Sequence, residues 1–367
     1  MTSQKNPKRI LVAVLNWGLG HAARSVPLIR ELQQQGAEVV IASDGQALGF
    51  LQKEIPNGRF TTLPSYNPRY SSTNRMIPTI LWQVPKFLRV RNKEHEIVQK
   101  LVATHKIDGI IADCRWGCYS AEVPSLIVTH QLNLQVPNWA DWLSTPLNWV
   151  NQRLLKNFDK CWVPDYADEP NLSGRLAHNQ ESDLAIDFIG PLSRVWRMSC
   201  HKKDIEWEVL VLLSGPEPQR CVLEQKLMKQ IEEIAGNILF VRGVPGKQEI
   251  EQISRDSQHI KIVNSLTTEA LAEVLASTSM VVARAGYSTI MDLLAARQKG
   301  LLIPTPGQTE QEYLAKRCME MGLFYTVEQN QLQLRKDIPK AEQYKRGTRA
   351  GTPSKLKDAI SSYLNGL

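Results

Sequence analysis

The sequence predicts an α/β protein made of two parallel-sheet halves, and three observations carry that reading. Short apolar runs alternate with segments of helical periodicity along most of the chain. The alternation breaks at Gly190–Asp204, GPLSRVWRMSCHKKD, where Pro191 and a basic polar run interrupt it, and it resumes at Trp207. The block VVARAGYSTIMDLLAARQKGLLIPTPGQTEQEYLAKRCMEMG, Val281–Gly322, then runs strand, glycine, helix, strand, turn, helix, the order of a parallel α/β unit. At 367 residues the chain is too long for one ordinary domain.

Each element follows from its local pattern. In the first half Arg9–Leu15 is an apolar strand. His21–Gln35 carries Val26, Leu28, Ile29 and Leu32 at helical spacing and stops at Gly36. Glu38–Ala42, Ile107–Ala112 and Ser125–Thr129 read as strands, 143–160 as a helix, and Lys160–Pro164 and Ala185–Ile189 as later strands. Trp139, Trp142 and Trp149 fall at helical spacings and read as core residues. In the second half, strands are expected at Trp207–Leu213, Asn237–Arg242 and His259–Val263. Met280–Ala283 is a strand that stops at Arg284-Ala285-Gly286, followed by a helix from Ser288, a strand at Gly300–Ile303, the turn Pro304–Gly307 and a helix opening near Thr309. Leu356–Leu364 reads as a terminal helix. The expected domains are 1–195 and 196–345, with 346–367 a helix that packs back on the first.

Composition excludes several classes. A hydrophobic content of 43% with 22% charged residues is that of a soluble globular protein. No apolar run approaches the roughly 18 residues a membrane-spanning helix needs. The N-terminus enters a strand directly, without a signal-peptide core, so a cytoplasmic location is expected. The six cysteines are dispersed, and only Cys114 and Cys118 are close, so no zinc framework is formed and reduced, buried thiols are expected. The net charge of +7 suits an anionic substrate or surface, while no nucleic-acid motif is present. The basic residues are densest over Arg335–Lys357. Residues 66–93 interleave Trp82, Phe87, Ile80 and Leu81 with Arg69, Arg75, Lys86, Arg89, Arg91 and Lys93, either a core-facing helix with a solvated basic face or a segment that lies on an anionic membrane.

Two glycine turns carry candidate chemistry. Gly18-x-Gly20-x-x-Ala23 follows the first strand and Asp44 ends the second, the spacing of a dinucleotide-binding fingerprint and the basis for an NAD(P)-dependent oxidoreductase. In the second half, Gly286 precedes a helix whose free N–H groups suit an anion, and Asp292 follows about two turns on.

The second block resembles the donor-binding signature of nucleotide-sugar glycosyltransferases of the two-domain GT-B type, in particular the MurG-like group with its family 28 C-terminal domain. Arg284, Gly286, Thr289, Asp292, Pro304 and Gln311 match in order. Asp292 stands where that family has a ribose-binding glutamate, and Glu312 where it has a second glutamine. GLGHAARS, Gly18–Ser25, is similar to the family's Gly-His loop. The resemblance implies a GT-B fold, two Rossmann-like domains with parallel sheets facing across a cleft. It implies inverting, metal-independent transfer from a nucleotide-sugar, UDP-linked and with UDP-GlcNAc as one candidate, to a hydroxyl acceptor, with a lipid-linked acceptor left open. No cofactor or metal beyond the nucleotide-sugar is expected, and any membrane contact would be peripheral, on the inner face.

His21 and Asp113 are then the catalytic candidates. An imidazole in the first helical turn can take the acceptor hydroxyl proton, and the helix N-terminus is expected to keep the ring neutral. Asp113 at a strand's carboxyl end is a rival base or the partner that orients His21. Donor candidates are Gly18, Gly20, Ser214, Gly215, Arg220, Arg242, Arg284, Gly286, Ser288, Thr289, Asp292, Gln311 and Glu312. Ser214 and Gly215 with Arg220 and Arg242 are expected to hold a diphosphate. His130, Gln131 and Asn133 form the acceptor side, resembling a family sequence that has a glutamate after the histidine. The oxidoreductase, and a non-catalytic nucleotide-sugar-binding protein, remain as alternatives.

Overall fold

Two seven-stranded sheets divide the chain. The computed structural model describes residues 6–69, 79, 82–178, 184–196, 198, 203–244, 250–255, 258–344 and 355–367. The first sheet contains β1 (Arg9–Val14), β2 (Glu38–Ser43), β3 (Arg59–Thr62), β4 (Gly109–Asp113), β5 (Ser125–Val128), β6 (Lys160–Val163) and β7 (Ala185–Phe188), ordered β3-β2-β1-β4-β5-β6-β7 and parallel throughout. The second contains β8 (Trp207–Leu212), β9 (Gly236–Val241), β10 (Ile250–Arg255), β11 (Gln258–Val263), β12 (Thr278–Arg284), β13 (Gly300–Ile303) and β14 (Tyr325–Thr326), ordered β10-β11-β9-β8-β12-β13-β14. Only the β10–β11 pair is antiparallel there. In each sheet the strand order reverses next to the first strand, β1 beside β4 and β8 beside β12. Ligands of open parallel sheets sit outside the carboxyl ends at such points.

The helices are α1 (Leu19–Gln34), α2 (Gly45–Glu54), α3 (Val84–His105), α4 (Ser144–Leu155), α5 (Gln219–Ile231), α6 (Thr268–Ala276), α7 (Tyr287–Ala295), α8 (Thr309–Glu320), α9 (Leu334–Glu342) and α10 (Leu356–Gly366). The strands form where apolar runs are buried on both faces: every residue of β4, β5 and β13 is buried. In α1, Ala22, Val26 and Ile29 lie on one face, fully buried under the sheet. Thr267 caps α6, its hydroxyl accepting from the Ala270 N–H.

Several boundaries differ from expectation. Helix α1 begins two residues earlier, at Leu19, and the helix expected over 143–160 is the shorter α4, preceded by a 3-10 turn over Asn138–Leu143. Trp139, Trp142 and Trp149 are 64%, 74% and 63% exposed, against the expected burial. The inward side of this segment is taken by Ala140, Asn151 and Leu155, so the tryptophan face points outward. In the 66–93 segment the described residues divide: Phe87 packs on Trp17 and Tyr66, while Trp82, Val84 and Leu88 are exposed. Arg75, Ile80 and Leu81 lie outside the described residues, as do 197 and 199–202 of the linker and 345–354 of the basic C-terminal stretch.

The two sheets meet through direct contacts. Ser288 Oγ donates to the Gly20 carbonyl at 2.9 Å. A Cβ on Gly20 would lie 3.1 Å from that hydroxyl, so the close approach of α1 and α7 suits a glycine there. Tyr287 donates to the Pro164 carbonyl at 3.0 Å, Thr309 to the Gln135 carbonyl at 2.8 Å, and Glu54 accepts the Thr268 N–H at 2.9 Å. Helix α10 lies on the first sheet's side: Tyr363 donates to Pro124 at 3.0 Å and Lys8 to the carbonyl of Leu367 at 2.7 Å.

Candidate active site

Asp113 ends β4 and is 1% exposed. Its carboxylate is fully engaged by α1. His21 Nδ1 lies 2.7 Å from Oδ1, Arg24 Nε donates to Oδ2 at 2.8 Å and Nη2 to Oδ1, and Ser25 Oγ donates to Oδ2 at 3.1 Å. A carboxylate only accepts, so Nδ1 of His21 carries a proton toward Asp113, and it is only in the neutral ring that Nε2 has a free lone pair. Cys114 follows with φ +53, a sharp turn directly after the carboxylate.

The electrostatics correct one expectation. Burial and the Arg24 guanidinium act against an imidazolium, but the Asp113 carboxylate outweighs both and raises His21 to about 9. The ring is therefore charged at neutral pH rather than neutral as expected, because Asp113 offsets burial and Arg24. Burial alone would raise the Asp113 carboxyl; Arg24 and His21 instead hold it well below the usual carboxylate range. His21, Asp113 and Cys114 offer three ligand atoms within 4.8 Å of one another. Arg24 donates to both Asp113 oxygens, and a metal there would compete with a guanidinium.

His130, 4% exposed at the end of β5, joins the same cluster. Arg24 Nη1 lies 3.2 Å from its Nδ1, and Glu310 of α8 accepts from its Nε2 at 2.7 Å. Tyr287 stacks on the ring, centroids 4.0 Å apart. Gln131 also donates to Glu310. Asn133 turns away, donating to the Arg175 carbonyl at 3.3 Å.

On the donor side the residues sort differently. Arg220 pairs with Glu217 and Glu224, and Arg242 with Glu224 at 2.9 Å and Glu251 at 3.2 Å. Both residues expected to hold the diphosphate are thus paired with neighbouring carboxylates in this structure. Arg284 is 1% exposed and donates to the carbonyls of Gln219 at 2.8 Å and Pro304 at 3.2 Å. Among the described residues no carboxylate faces it, and burial lowers it to about 10. It ties together the chain after β8, β12 and β13. Gly215, after β8, takes φ +104, a conformation that favours glycine. Gly286 caps α7 in an extended conformation, and a Cβ there would meet only Thr289 Oγ1, at 3.8 Å. Gln311 and Glu312 brace the proline turn, accepting from the N–H groups of Thr305 at 2.9 Å and Gly307 at 2.8 Å.

Asp292 is bonded by the chain itself: Ser193 Oγ donates at 2.6 Å and Arg194 Nε lies 3.6 Å away. Burial raises its carboxyl, against the pull of Arg194. Arg194 was not among the expected site residues, nor were Arg24, Tyr287 and Glu310. Arg24 stands in GLGHAARS three residues after His21, so helical spacing signals it; Arg194 sits in the linker and Glu310 is one of many surface-type acids. Asp44, the ribose-binding acid of the dinucleotide reading, is buried and held by Arg115 and by Asn16 Nδ2 at 3.0 Å.

Residues 218–361 match the glycosyltransferase family 28 C-terminal domain. An uncharacterized glycosyltransferase of Methanosarcina mazei is 23% identical over 86% of this chain and 85% of its own length. The chain is a glycosyltransferase that carries a family 28 C-terminal domain. A Haemophilus influenzae UDP-N-acetylglucosamine–N-acetylmuramyl-(pentapeptide) pyrophosphoryl-undecaprenol N-acetylglucosamine transferase is 27% identical over 35% of this transferase and 37% of that relative. Among solved structures, Acinetobacter baumannii MurG superposes with a TM-score of 0.61 at 13% identity, covering 98% of the transferase and all of that chain. SnogD from Streptomyces nogalater superposes at 0.62 and 13% identity, covering 98% and 99%. These likenesses establish the GT-B fold.

Proposed function

We propose that the transferase moves a sugar from a UDP-linked donor to a hydroxyl acceptor with inversion and without a metal. The observation that carries this is the His21–Asp113 pair, partly open at the meeting of α1 and α7. With Nδ1 bound to Asp113, Nε2 takes the acceptor hydroxyl proton as that oxygen attacks the anomeric carbon. The bond to the diphosphate breaks on the opposite face, and UDP leaves with the electron pair. The N-terminus of α7 with the Ser214-Gly215 loop stabilises the diphosphate, and Arg284 holds those loops in place. Asp292 exchanges Ser193 for the ribose hydroxyls. The name of the Haemophilus influenzae relative supports UDP-N-acetylglucosamine as the first donor to test and a lipid-linked acceptor.

The exposed Trp82, Trp139, Trp142 and Trp149, with Arg89 and Lys93 exposed on α3, support peripheral contact with an anionic membrane on its cytoplasmic face. Both segments follow the carboxyl ends of strands in the first sheet, the rim that bears His21 and Asp113. Among the described residues no helix is long and apolar enough to cross a membrane.

Calorimetry with UDP, UDP-GlcNAc and NADH on the wild type and Asp292→Ala tests the assignment. UDP should bind the wild type, and Asp292→Ala should weaken it at least tenfold. NADH binding with no UDP binding would refute the reading.

A further inference from the structure

Glu310 lies in the first turn of α8, on the donor side, yet its carboxylate ends inside the first domain. It accepts from His130 Nε2 at 2.7 Å and from Gln131 Nε2. Arg24 decides which proton His130 carries. A guanidinium only donates, so Nδ1, 3.2 Å from Arg24 Nη1, is the acceptor and Nε2 holds the proton that Glu310 receives. The same Arg24 grips both oxygens of Asp113, which bonds His21. One unbroken line of hydrogen bonds therefore runs Glu310, His130, Arg24, Asp113, His21. It begins on the helix next to the donor turn and ends on the candidate base.

The surroundings of Glu310 reinforce the line. His130 and Gln131 after β5, and His21 and Arg24 on α1, face the carboxylate, with Asp113 behind Arg24 and Tyr287 of α7 stacked on His130. Burial works against an ionised Glu310, and His130, with its hydrogen bond, followed by His21 and Arg24, outweighs it and lowers the carboxyl. Thr309, its neighbour, anchors the same turn to the Gln135 carbonyl at 2.8 Å.

We propose that Glu310 is a positioning residue, which sets His130 and, through Arg24, the Asp113–His21 pair for transfer only when α8 is seated against the first domain. The consequence is that donor-side closure is felt at the base before any acceptor proton moves. This rests on the glycosyl-transfer reading above.

The test compares the full-length wild type with Glu310→Gln, Glu310→Asp and Glu310→Ala. Glu310 is partly exposed on a helix surface, so these variants should keep the wild-type circular dichroism. Imidazole nitrogen NMR should show His130 as the neutral tautomer protonated on Nε2 in the wild type and a changed signal in Glu310→Ala. UDP affinity by calorimetry should stay within threefold. Turnover of UDP-GlcNAc, read as UDP release, should lose at least tenfold in kcat in Glu310→Ala with KM within threefold. Glu310→Asp, which keeps the charge, should fall between. In Glu310→Gln the rising limb of kcat with pH should move to lower pH, because one negative charge facing His21 is gone.

A donor KM that rises while kcat holds would make Glu310 a donor ligand and overturn the proposal. An unchanged His130 signal in Glu310→Ala would overturn it as well. If UDP fails to bind the wild type, the transfer reading fails instead, while the His130 signal still decides whether Glu310 holds that ring.

Discussion

Replacing Asp113 with asparagine should change the pH dependence of transfer in a way no simple loss of packing can. In the wild type His21 is raised to about 9, so only about 1% of the molecules carry a neutral ring at pH 7. If neutral His21 is the base, kcat/KM should rise about tenfold per pH unit and level off near pH 9. The Asp113→Asn change removes the largest influence that raises His21, leaving burial and Arg24, both of which disfavour the imidazolium. The His21 pKa should then fall below its ordinary value of 6.5, and the profile should be flat between pH 7 and 9. The plateau should drop too, because an amide no longer grips Nδ1–H and Arg24 together. Leaving Arg24 buried without its partner costs about 3–5 kcal/mol, so the comparison belongs at low temperature with circular dichroism as the folding check. Linkage supplies a second readout. A raised histidine contributes stability in full below pH 6.5 and loses it as pH rises through about 9. The wild-type Tm should therefore decline between pH 7 and 9, and that of Asp113→Asn should not decline from this source. A wild-type profile that is flat over this range, or a limb shared by wild type and variant, would refute the role given to the pair.

Other outcomes follow from the same geometry. Chelation by EDTA should leave the transfer rate within twofold, because Arg24 occupies the Asp113 oxygens a metal would need; a loss restored by a divalent cation would contradict this. Trp139→Ser, Trp142→Ser and Trp149→Ser together should weaken binding to anionic vesicles at least tenfold in a sedimentation assay. Each ring that stays in water forgoes on the order of 1 kcal/mol of apolar burial. Turnover of a water-soluble acceptor should be unchanged in that triple variant.

The parts legible in the sequence are those whose signal is local. Strands such as β1 and β12 are buried on both faces, so they read as continuous apolar runs. His21 and Asp113 could each be singled out, one by its place after a glycine turn and the other at a strand end. Their pairing could not, because 92 residues separate them and only the β1–β4 register brings them together. The pairing of Arg220 with Glu217 and Glu224 was harder to see, because charge is visible in a sequence and its compensation is less so. Glu224, one helical turn on, was the available warning. The tryptophans of the 138–155 region show the converse: helical spacing reveals that residues share a face, and which way that face points depends on neighbours distant in the chain. Glu310 shows no local signal at all, since its partners belong to the other domain.

The last helix has a mechanical consequence. Tyr363 and Leu367 are fastened to the first domain, so the polypeptide passes between the two halves twice, once after Phe188 and again after Tyr344. A body joined to another by a single strand can swivel freely. One joined by two strands turns chiefly about the line through both joints, as a door turns on a pair of hinges. Any turning of one half against the other would follow that line, and a return along it would bring the α7 and α8 ends back opposite His21 and His130.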